Sequence, residues 1–311
     1  MRTPTIYFSF RPAQLPLAEI ALLLTAVFWG TSYGITKEAL LYTSVFAFLV
    51  IRFGMTSLIL LPVYWHDARK GLTKDWRYAV PTGIILLGIF IAETYGIFHT
   101  SASKAAFLIS LCVLITPIME SCVTRTRPKN KIILCALLSL FGVFLLTSNG
   151  ITEASPTHTT GKNHGLLNLG DICILLAAFL RACMVVATNV LLKGKSLSAL
   201  STTCIQANVV TLGALLVFFL TDNPIEQLLP TSISFWLEAS YLVLFCTIFA
   251  LFAQNFGVKH TSASRVSLLT GSEPAFGALF AFLWLGESFS IIQLVGAGCI
   301  LGATLLASKQ R

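Results

Sequence analysis

Four ionisable side chains stand inside long apolar stretches of this sequence: Arg52, Glu93, Arg181 and Glu273. A charge at the centre of a membrane helix costs about 2.5–3.5 kcal/mol on insertion scales, so it needs a partner or a wet cavity. A guanidinium can hold a carboxylate by a forked pair of hydrogen bonds, and desolvation favours the protonated form of a carboxylate. We therefore expect Arg181 to bind an anionic group of a solute. Glu93 or Glu273 would then face an amino group or carry a proton.

The same charged residues also allow a structural role. Arg181 and Glu273 could form an ion pair that braces the two halves of the chain. Glu273 is followed by Pro274, which removes a backbone hydrogen bond, so this carboxylate could instead support a local bend. Both interpretations stay open for these two residues.

Aromatic and amide side chains supply further candidates. Trp29 and Tyr33 are four residues apart and therefore share one face of a helix, where they could line a cavity for an organic solute or pack in the core. Gln254 and Asn255 add uncharged hydrogen-bonding groups. The candidate substrate-binding residues are Trp29, Tyr33, Glu93, Arg181, Gln254, Asn255 and Glu273.

Enzymatic chemistry has little support in the sequence. The stretch "GTSYG" (30–34) matches the G-x-S-x-G pattern of hydrolases, but that motif needs a strand, a sharp turn and a helix, and here it lies in one apolar run. The five histidines all fall in or beside predicted loops, so none is placed to activate Ser32. We predict no catalytic residue, no metal and no cofactor. An intramembrane enzyme is the alternative from another class of function.

The elements that must position these residues are long apolar runs. The chain of 311 residues is 56% hydrophobic and 11% charged, with a mean hydropathy of +0.82, whereas soluble domains carry about 25% charged residues. The bilayer is therefore the expected solvent, and runs of about 20 residues predict transmembrane helices rather than barrel strands. The ten predicted spans are 17–36, 44–65, 78–98, 103–123, 132–148, 170–192, 200–220, 233–257, 264–285 and 290–308.

Basic residues predict the orientation of these spans. With the N-terminus in the cytoplasm, most Lys and Arg residues fall in cytoplasmic segments, and only Lys37, Lys104 and Lys162 fall on the opposite side. The net charge of +8 is thus a topology signal and does not indicate nucleic-acid binding. We expect a multi-pass protein of the cell (inner) membrane with both termini in the cytoplasm.

A repeated pentapeptide divides the chain into two halves. "HTSAS" occurs at 99–103 and again at 260–264, between the third and fourth spans and between the eighth and ninth. We predict a cytoplasmic N-terminal segment (1–16), a first five-helix repeat (17–148), a linker (149–169) and a second five-helix repeat (170–308). Because each half has an odd number of spans, the second is inverted relative to the first. Inverted repeats around a midplane site are a building plan of secondary transporters.

Other positions correspond between the two halves. Glu19 and Asp171 open the first and sixth spans, and Glu93 and Gln254 occupy the same place before the two HTSAS copies. Arg52 and Gln206 also correspond, since they lie at the same distance after Ser44 and Ser198. These pairs support an internal duplication.

Several stretches resemble the EamA family of the drug/metabolite transporter superfamily, over nearly the whole chain. The resemblance implies ten helices in two inverted five-helix repeats, with a central cavity lined by spans 1, 3, 4, 6, 8 and 9. It also implies that Arg52, in the second span, lies off the cavity and has a structural role. Arg181 stands where the family often has a tryptophan equivalent to Trp29. The stretches are "AVFWGTSYGITKEAL" (26–40), "IRF" (51–53), "HTSASKAAFLISLCVLITP" (99–117) and "HTSASRVSLLTGSEPAFGALFAFLWLGESFSIIQLVGAGCILGATLLA" (260–307).

The resemblance and the polar residues together lead to one functional expectation. We expect a secondary transporter that moves a small polar organic metabolite, an amino acid or a related compound, in the direction of export by alternating access. An uncoupled facilitator or exchanger for nucleoside-type or adenosyl-type metabolites is the alternative. The expected partners are a small-molecule substrate and the lipid bilayer. Proton coupling and the oligomeric state are left open.

Overall fold

The chain folds almost entirely into helices. The computed structural model describes residues 14–100, 102–125, 130–152, 168–221, 224–285 and 290–308. Short 3₁₀ helices cover Trp76–Tyr78 and Ile225–Leu228, and a π-helical turn covers Leu244–Phe249. The α-helices are α1 (Gln14–Ala39), α2 (Val45–Arg69), α3 (Ala79–His99), α4 (Ala102–Ser110), α5 (Cys112–Thr124), α6 (Asn130–Thr152), α7 (Leu169–Leu192), α8 (Ala199–Leu220), α9 (Ile233–Val243), α10 (Ala250–His260), α11 (Ala263–Thr270), α12 (Glu273–Leu285) and α13 (Ile291–Ser308).

These helices account for the ten predicted spans. Within the described ranges, seven helical segments are long and apolar enough to cross a membrane, and α6 and α13 contain shorter apolar helices. The ninth span is divided between α11 and α12. The predicted fold class is confirmed: this is an all-α integral membrane protein of ten transmembrane helices in two inverted five-helix repeats.

The predicted boundaries of the repeats coincide only partly with helix ends. α6 continues to Thr152, so the first four residues of the predicted linker are helical. Residues 153–167 of that linker, and residues 1–13 of the predicted N-terminal segment, lie outside the described residues. The division at 149–169 therefore stays a prediction.

The two HTSAS copies form tight corners between helices. α3 ends at His99 and α4 begins at Ala102, while α10 ends at His260 and α11 begins at Ala263. In the second copy, the Ser262 hydroxyl accepts a hydrogen bond from the backbone N–H of Arg265, the usual way in which serine caps a helix. The last two residues of each copy open the next helix.

Serine caps also mark the equivalent starts of the second and seventh spans. The Ser44 side chain accepts from the N–H of Ala47, and the Ser198 side chain accepts from the N–H of Ser201. Each bond satisfies a backbone donor that the first turn of a helix leaves unpaired. Ser44 and Ser198 thereby begin α2 and α8 at matching points of the two repeats.

The fourth and ninth spans are interrupted at equivalent positions. The fourth breaks at Leu111, between α4 and α5, and the ninth breaks at Gly271 and Ser272, between α11 and α12. Leu111 and Ser272 stand equally far from the two HTSAS copies. Discontinuous helices at the midplane are a recurrent feature of carriers built from inverted repeats.

Helix packing follows the same twofold relation. The third span packs on the sixth as the eighth packs on the first, the second packs on the seventh, and the fifth packs on the tenth. One close approach is between Gly30 of α1 and Gly277 of α12, where a Cβ atom added at Gly30 would lie 2.6 Å from the Gly277 nitrogen. This packing leaves the first, third, fourth, sixth, eighth and ninth spans around a common interior.

Candidate functional site

Arg181 lies at the centre of the interior and contacts two carboxylates. Its Nη1 donates to Oε1 of Glu273 at 3.0 Å, and its Nε is 3.5 Å from Oε2 of Glu93. The predicted ion pair between Arg181 and Glu273 is present, but both residues belong to the second repeat. The ion pair of Arg181 that joins the two repeats is the one with Glu93.

The two aromatic candidates on α1 both reach this cluster. The Tyr33 hydroxyl donates to Oε1 of Glu273 at 2.7 Å. The Arg181 guanidinium carbon lies 4.6 Å from the centre of the Trp29 ring, a cation–π contact. The predicted shared face of Trp29 and Tyr33 therefore points at the charged residues.

A π-helical turn in the eighth span accepts a hydrogen bond from the Trp29 indole. The carbonyl of Cys246, in this turn, accepts from the Trp29 indole at 2.9 Å and from Nη2 of Arg52 at 3.4 Å. Nε of Arg52 donates to the Thr247 hydroxyl at 2.8 Å. The Arg52 guanidinium also lies 5.0 Å from the Phe90 ring centre. π-turns are rare and occur frequently at functional sites.

A small cavity adjoins the cluster. Its walls include Trp29, Cys112, Arg181, Gln254 and Ser267, and the remaining lining is largely apolar. The cavity volume is about 30 Å³, which is room for one or two water molecules, whereas sites for organic ligands usually occupy about 300–1,000 Å³. At this volume the cavity has no room for an organic solute.

The two neighbouring amides of the eighth span point in different directions. Gln254 lines the cavity with Trp29 and Arg181. Asn255 instead donates to the hydroxyl of Thr203 at 3.0 Å and to Oε1 of Gln206 at 2.8 Å. Consecutive helical residues diverge by about 100°. The structure thus brings Trp29, Tyr33, Glu93, Arg181, Gln254 and Glu273 together and leaves Asn255 in a separate buried network.

Three pairs of equivalent residues meet at the cluster. Trp29 corresponds to Arg181 and Glu93 to Gln254, and the same count from the HTSAS copies pairs Cys112 with Glu273. In each pair one side chain is charged and the other is not. Groups related by a twofold axis can touch only near that axis, so the contact of Arg181 with Trp29 places the cluster on the pseudo-twofold axis.

Polar contacts also close the end of the molecule that carries the second HTSAS copy. Glu120, at the end of the fourth span, accepts from the N–H groups of Ala263 and Ser264 at 3.0 and 2.9 Å and from the Ser264 hydroxyl. Arg265 forms a 3.0 Å ion pair with Glu19. Sequence analysis missed the role of Glu120, because its partner is the first turn of a helix far away in the chain.

Ser32, the serine of the hydrolase-like stretch, is occupied within its own helix. Its hydroxyl donates to the carbonyl of Trp29 at 2.8 Å. The residue lies in the interior of α1, which has no strand-to-helix turn at this point. The local structure therefore differs from the one the hydrolase motif requires.

Two inverted repeats, broken spans and a closed, charged cavity at mid-depth define the architecture of a membrane carrier. The model of the EamA-like transporter family matches residues 16–148 and 168–309. The chain belongs to the EamA-like transporter family, which confirms the resemblance.

Similar proteins carry names that agree with a transporter. An uncharacterized transporter of Bacillus subtilis, YyaM, is 23% identical over 93% of this chain and 92% of its own length. An uncharacterized transporter of Archaeoglobus fulgidus is 25% identical over 94% and 85%. A WAT1-related chloroplast protein of Arabidopsis thaliana is 27% identical over 90% and 67%. A solved crystal structure superposes with a TM-score of 0.73 at 15% identity, covering 94% of this chain and 96% of that one, and supports the fold.

Proposed function

We propose that this protein is a secondary transporter that moves a small polar organic metabolite, an amino acid or a related compound, by alternating access between its two repeats. The proposed direction is export across the cell (inner) membrane, with both termini in the cytoplasm. One observation carries the proposal: Arg181 lies on the pseudo-twofold axis between Glu93 of one repeat and Glu273 of the other. Any rocking of the repeats must change the contact between Arg181 and Glu93, which couples the binding site to the movement.

The residues at and beside the cavity have different roles in the proposed site. Arg181, Gln254 and Trp29 line the cavity and supply a positive charge, an uncharged donor and acceptor, and an aromatic face. Glu93 and Glu273 supply negative charge through their contacts with Arg181. Tyr33 positions Glu273 through its hydroxyl. Asn255 supports the site indirectly, because its network with Thr203 and Gln206 holds the eighth span against the seventh.

Uptake into proteoliposomes tests the proposal. We expect a panel of labelled amino acids and related metabolites to include one that the wild-type protein accumulates or exchanges. Arg181→Ala should lower its rate by about tenfold or more, since one buried charged contact is worth at least about 1.4 kcal/mol. Arg69→Ala, which removes an exposed arginine at the end of α2, is the matched control and should leave the rate unchanged.

Two results would count against the proposal. Equal rates for wild type and Arg181→Ala would make Arg181 a structural brace. The absence of transport across the whole panel would remove the support for a metabolite of this class. The dependence of the rate on a pH gradient separates a proton-coupled carrier from an uncoupled facilitator.

A further inference from the structure

Arg52 extends the charged cluster beyond the cavity wall. Its guanidinium and the Trp29 indole donate to the same Cys246 carbonyl, and Trp29 lies against Arg181. Trp29 therefore connects the two guanidinium groups within one buried interior. Arg52 is 4% exposed, and its side chain has no carboxylate within ion-pair distance in the described part of the chain. It is therefore a buried positive charge whose balance must come from the cluster.

The cluster as a whole is balanced. Two guanidinium groups, of Arg52 and Arg181, face two carboxylates, of Glu93 and Glu273. The titratable side chains next to them include Tyr33, which donates to Glu273, and Cys112, which lines the cavity with Arg181; phenols and thiols are uncharged at neutral pH. A proton on either carboxylate would leave an excess positive charge in a medium where unpaired charges are costly. The four charges sum to zero only when both carboxylates are ionised.

The cluster nevertheless has unused acceptors. Oε2 of Glu93 and Oε2 of Glu273 are buried and have no hydrogen-bond donor. The contact between Arg181 and Glu93, at 3.5 Å, is an ion pair without a hydrogen bond. A buried acceptor without a donor is costly, so a ligand that supplies one is stabilised here.

A dipolar ligand fits this gap. Its anionic group can take the place of Glu93 beside Arg181. Its cationic group can then donate to Oε2 of Glu93, which has no hydrogen-bond donor. Two charge-assisted hydrogen bonds then replace one long contact, and the total charge of the buried cluster does not change. A ligand with one net charge, positive or negative, would leave the buried cluster with an uncompensated charge.

We infer that Arg52 is the counter-charge that sets the net charge of the cargo to zero, so that the protein carries a solute with one positive and one negative group and needs no coupling proton. The inference rests on the proposed transport function for the role of the cavity. Arg52 acts here as a specificity-determining residue at a distance, through charge and without contact with the cargo.

Infrared spectroscopy of the purified protein tests the charge balance without any ligand. Between about pH 6 and pH 8, we expect no protonated-carboxyl absorption that Glu93→Gln or Glu273→Gln removes. Arg52→Gln should create such a band, because one carboxylate is then uncompensated, and Arg52→Lys should not. A band in the wild-type protein that disappears in either Gln variant would overturn the inference, as would a normal wild-type spectrum in Arg52→Gln.

A set of four probes with one carbon skeleton tests the cargo charge. Leucine is dipolar, leucinamide is a cation, N-acetylleucine is an anion, and N-acetylleucinamide is uncharged. By calorimetry in detergent we expect leucine to bind wild type at least about tenfold more tightly than the other three. Arg52→Gln should shift the preference about tenfold towards leucinamide, whose binding displaces the proton from the uncompensated carboxylate. Glu273→Gln should shift the preference towards N-acetylleucine. Arg52→Lys should restore the wild-type order.

A singly charged probe that binds wild type more tightly than leucine would overturn the inference, and if no probe binds, the infrared result decides. Failure of the inference and failure of the transport proposal remain distinguishable. If the infrared spectra show the expected charge balance but the protein moves no solute in liposomes, the transport proposal alone is contradicted. Solute movement accompanied by a proton that depends on Glu93 would sink the inference alone.

Discussion

Arg181 and Trp29 occupy equivalent positions in the two repeats, yet one carries a charge and the other a neutral ring. The two side chains contact each other, with the Arg181 guanidinium carbon 4.6 Å from the centre of the Trp29 ring. The repeats therefore differ in charge at the axis where they meet. In the same way, Glu93 is a charged residue and its equivalent Gln254 is not. Glu273 is charged and its equivalent Cys112 is not. The site is therefore symmetric in backbone and asymmetric in charge, so we expect the dipolar solute proposed above to bind in one preferred orientation.

Tyr33→Phe tests the contact of α1 with Glu273. The change removes the 2.7 Å hydrogen bond from the Tyr33 hydroxyl to a buried carboxylate and keeps the ring. We expect a loss of about 1–2 kcal/mol in the free energy of unfolding, because hydrogen bonds to charged groups are among the stronger ones but are weakened by competition in membranes. Denaturant titration in mixed micelles measures it. Tyr42→Phe, at an exposed tyrosine, should have no effect, and equal stability of both variants would contradict the assignment.

At the scale of helices, the positions of the charged groups depend on two features of the backbone. The π-turn at Leu244–Phe249 directs the Cys246 carbonyl at Trp29 and Arg52. The break between α11 and α12 places Glu273 at the start of a helix, where a carboxylate interacts favourably with the helix dipole. The close approach of α1 to α12 at Gly30 then fixes the distance from Tyr33 to Glu273.

Gly30→Ala tests that helix contact. A Cβ atom at this position would lie 2.6 Å from both the Glu273 carbonyl oxygen and the Gly277 nitrogen, so α1 and α12 must separate. We expect a loss of about 1–3 kcal/mol in stability, the usual cost of overpacking, together with weaker solute binding. Gly34→Ala lies one turn further along the same helix, where an added Cβ meets nothing within 4 Å. If the two variants show the same melting temperature, the packing argument is wrong.

At the scale of the whole molecule, the two ends of the transport path are held by different contacts. At the end with the second HTSAS copy, Glu120 of the first repeat caps the start of α11 in the second. At the other end, the Thr100 hydroxyl donates to Asp171 at 2.9 Å. Position 281, which corresponds to Glu120, holds alanine in the sequence. Glu120 therefore has no acidic counterpart at the equivalent position of the second repeat, and Asp171 is the carboxylate that bridges the repeats at the other end.

Glu120→Ala should favour opening at the end that carries the second HTSAS copy, which we propose to be cytoplasmic. Three hydrogen bonds across the repeat interface are lost, and solvent gains access to Cys112 in the cavity wall. We expect an impermeant maleimide added on that side to label Cys112 several-fold faster, as measured by mass spectrometry of its peptide. Glu226→Ala removes an exposed glutamate and should leave the rate unchanged. An unaltered rate in Glu120→Ala would show that these contacts do not control opening.

Hydropathy, charge and the repeated motif were sufficient to predict the membrane spans and the two inverted repeats from the sequence alone. The ten apolar runs and the polar corners at the two HTSAS copies depend on residues close together in the chain, so they can be recognised without tertiary structure. The same applies to the list of costly side chains such as Glu93, Arg181 and Glu273, because a charge in an apolar run is visible in the sequence itself.

Only the tertiary structure decided which of these side chains meet. The sequence paired Arg181 with Glu273 as a brace between the repeats, whereas the contact across the repeats is made by Glu93. It also grouped Gln254 with Asn255, which face different neighbours, and it missed Cys112, Glu120 and the π-turn. Each of these contacts joins residues far apart in the chain, and helix rotation, breaks and close glycine packing set them. Such geometry depends on all neighbours at once, and no local pattern of residues encodes it.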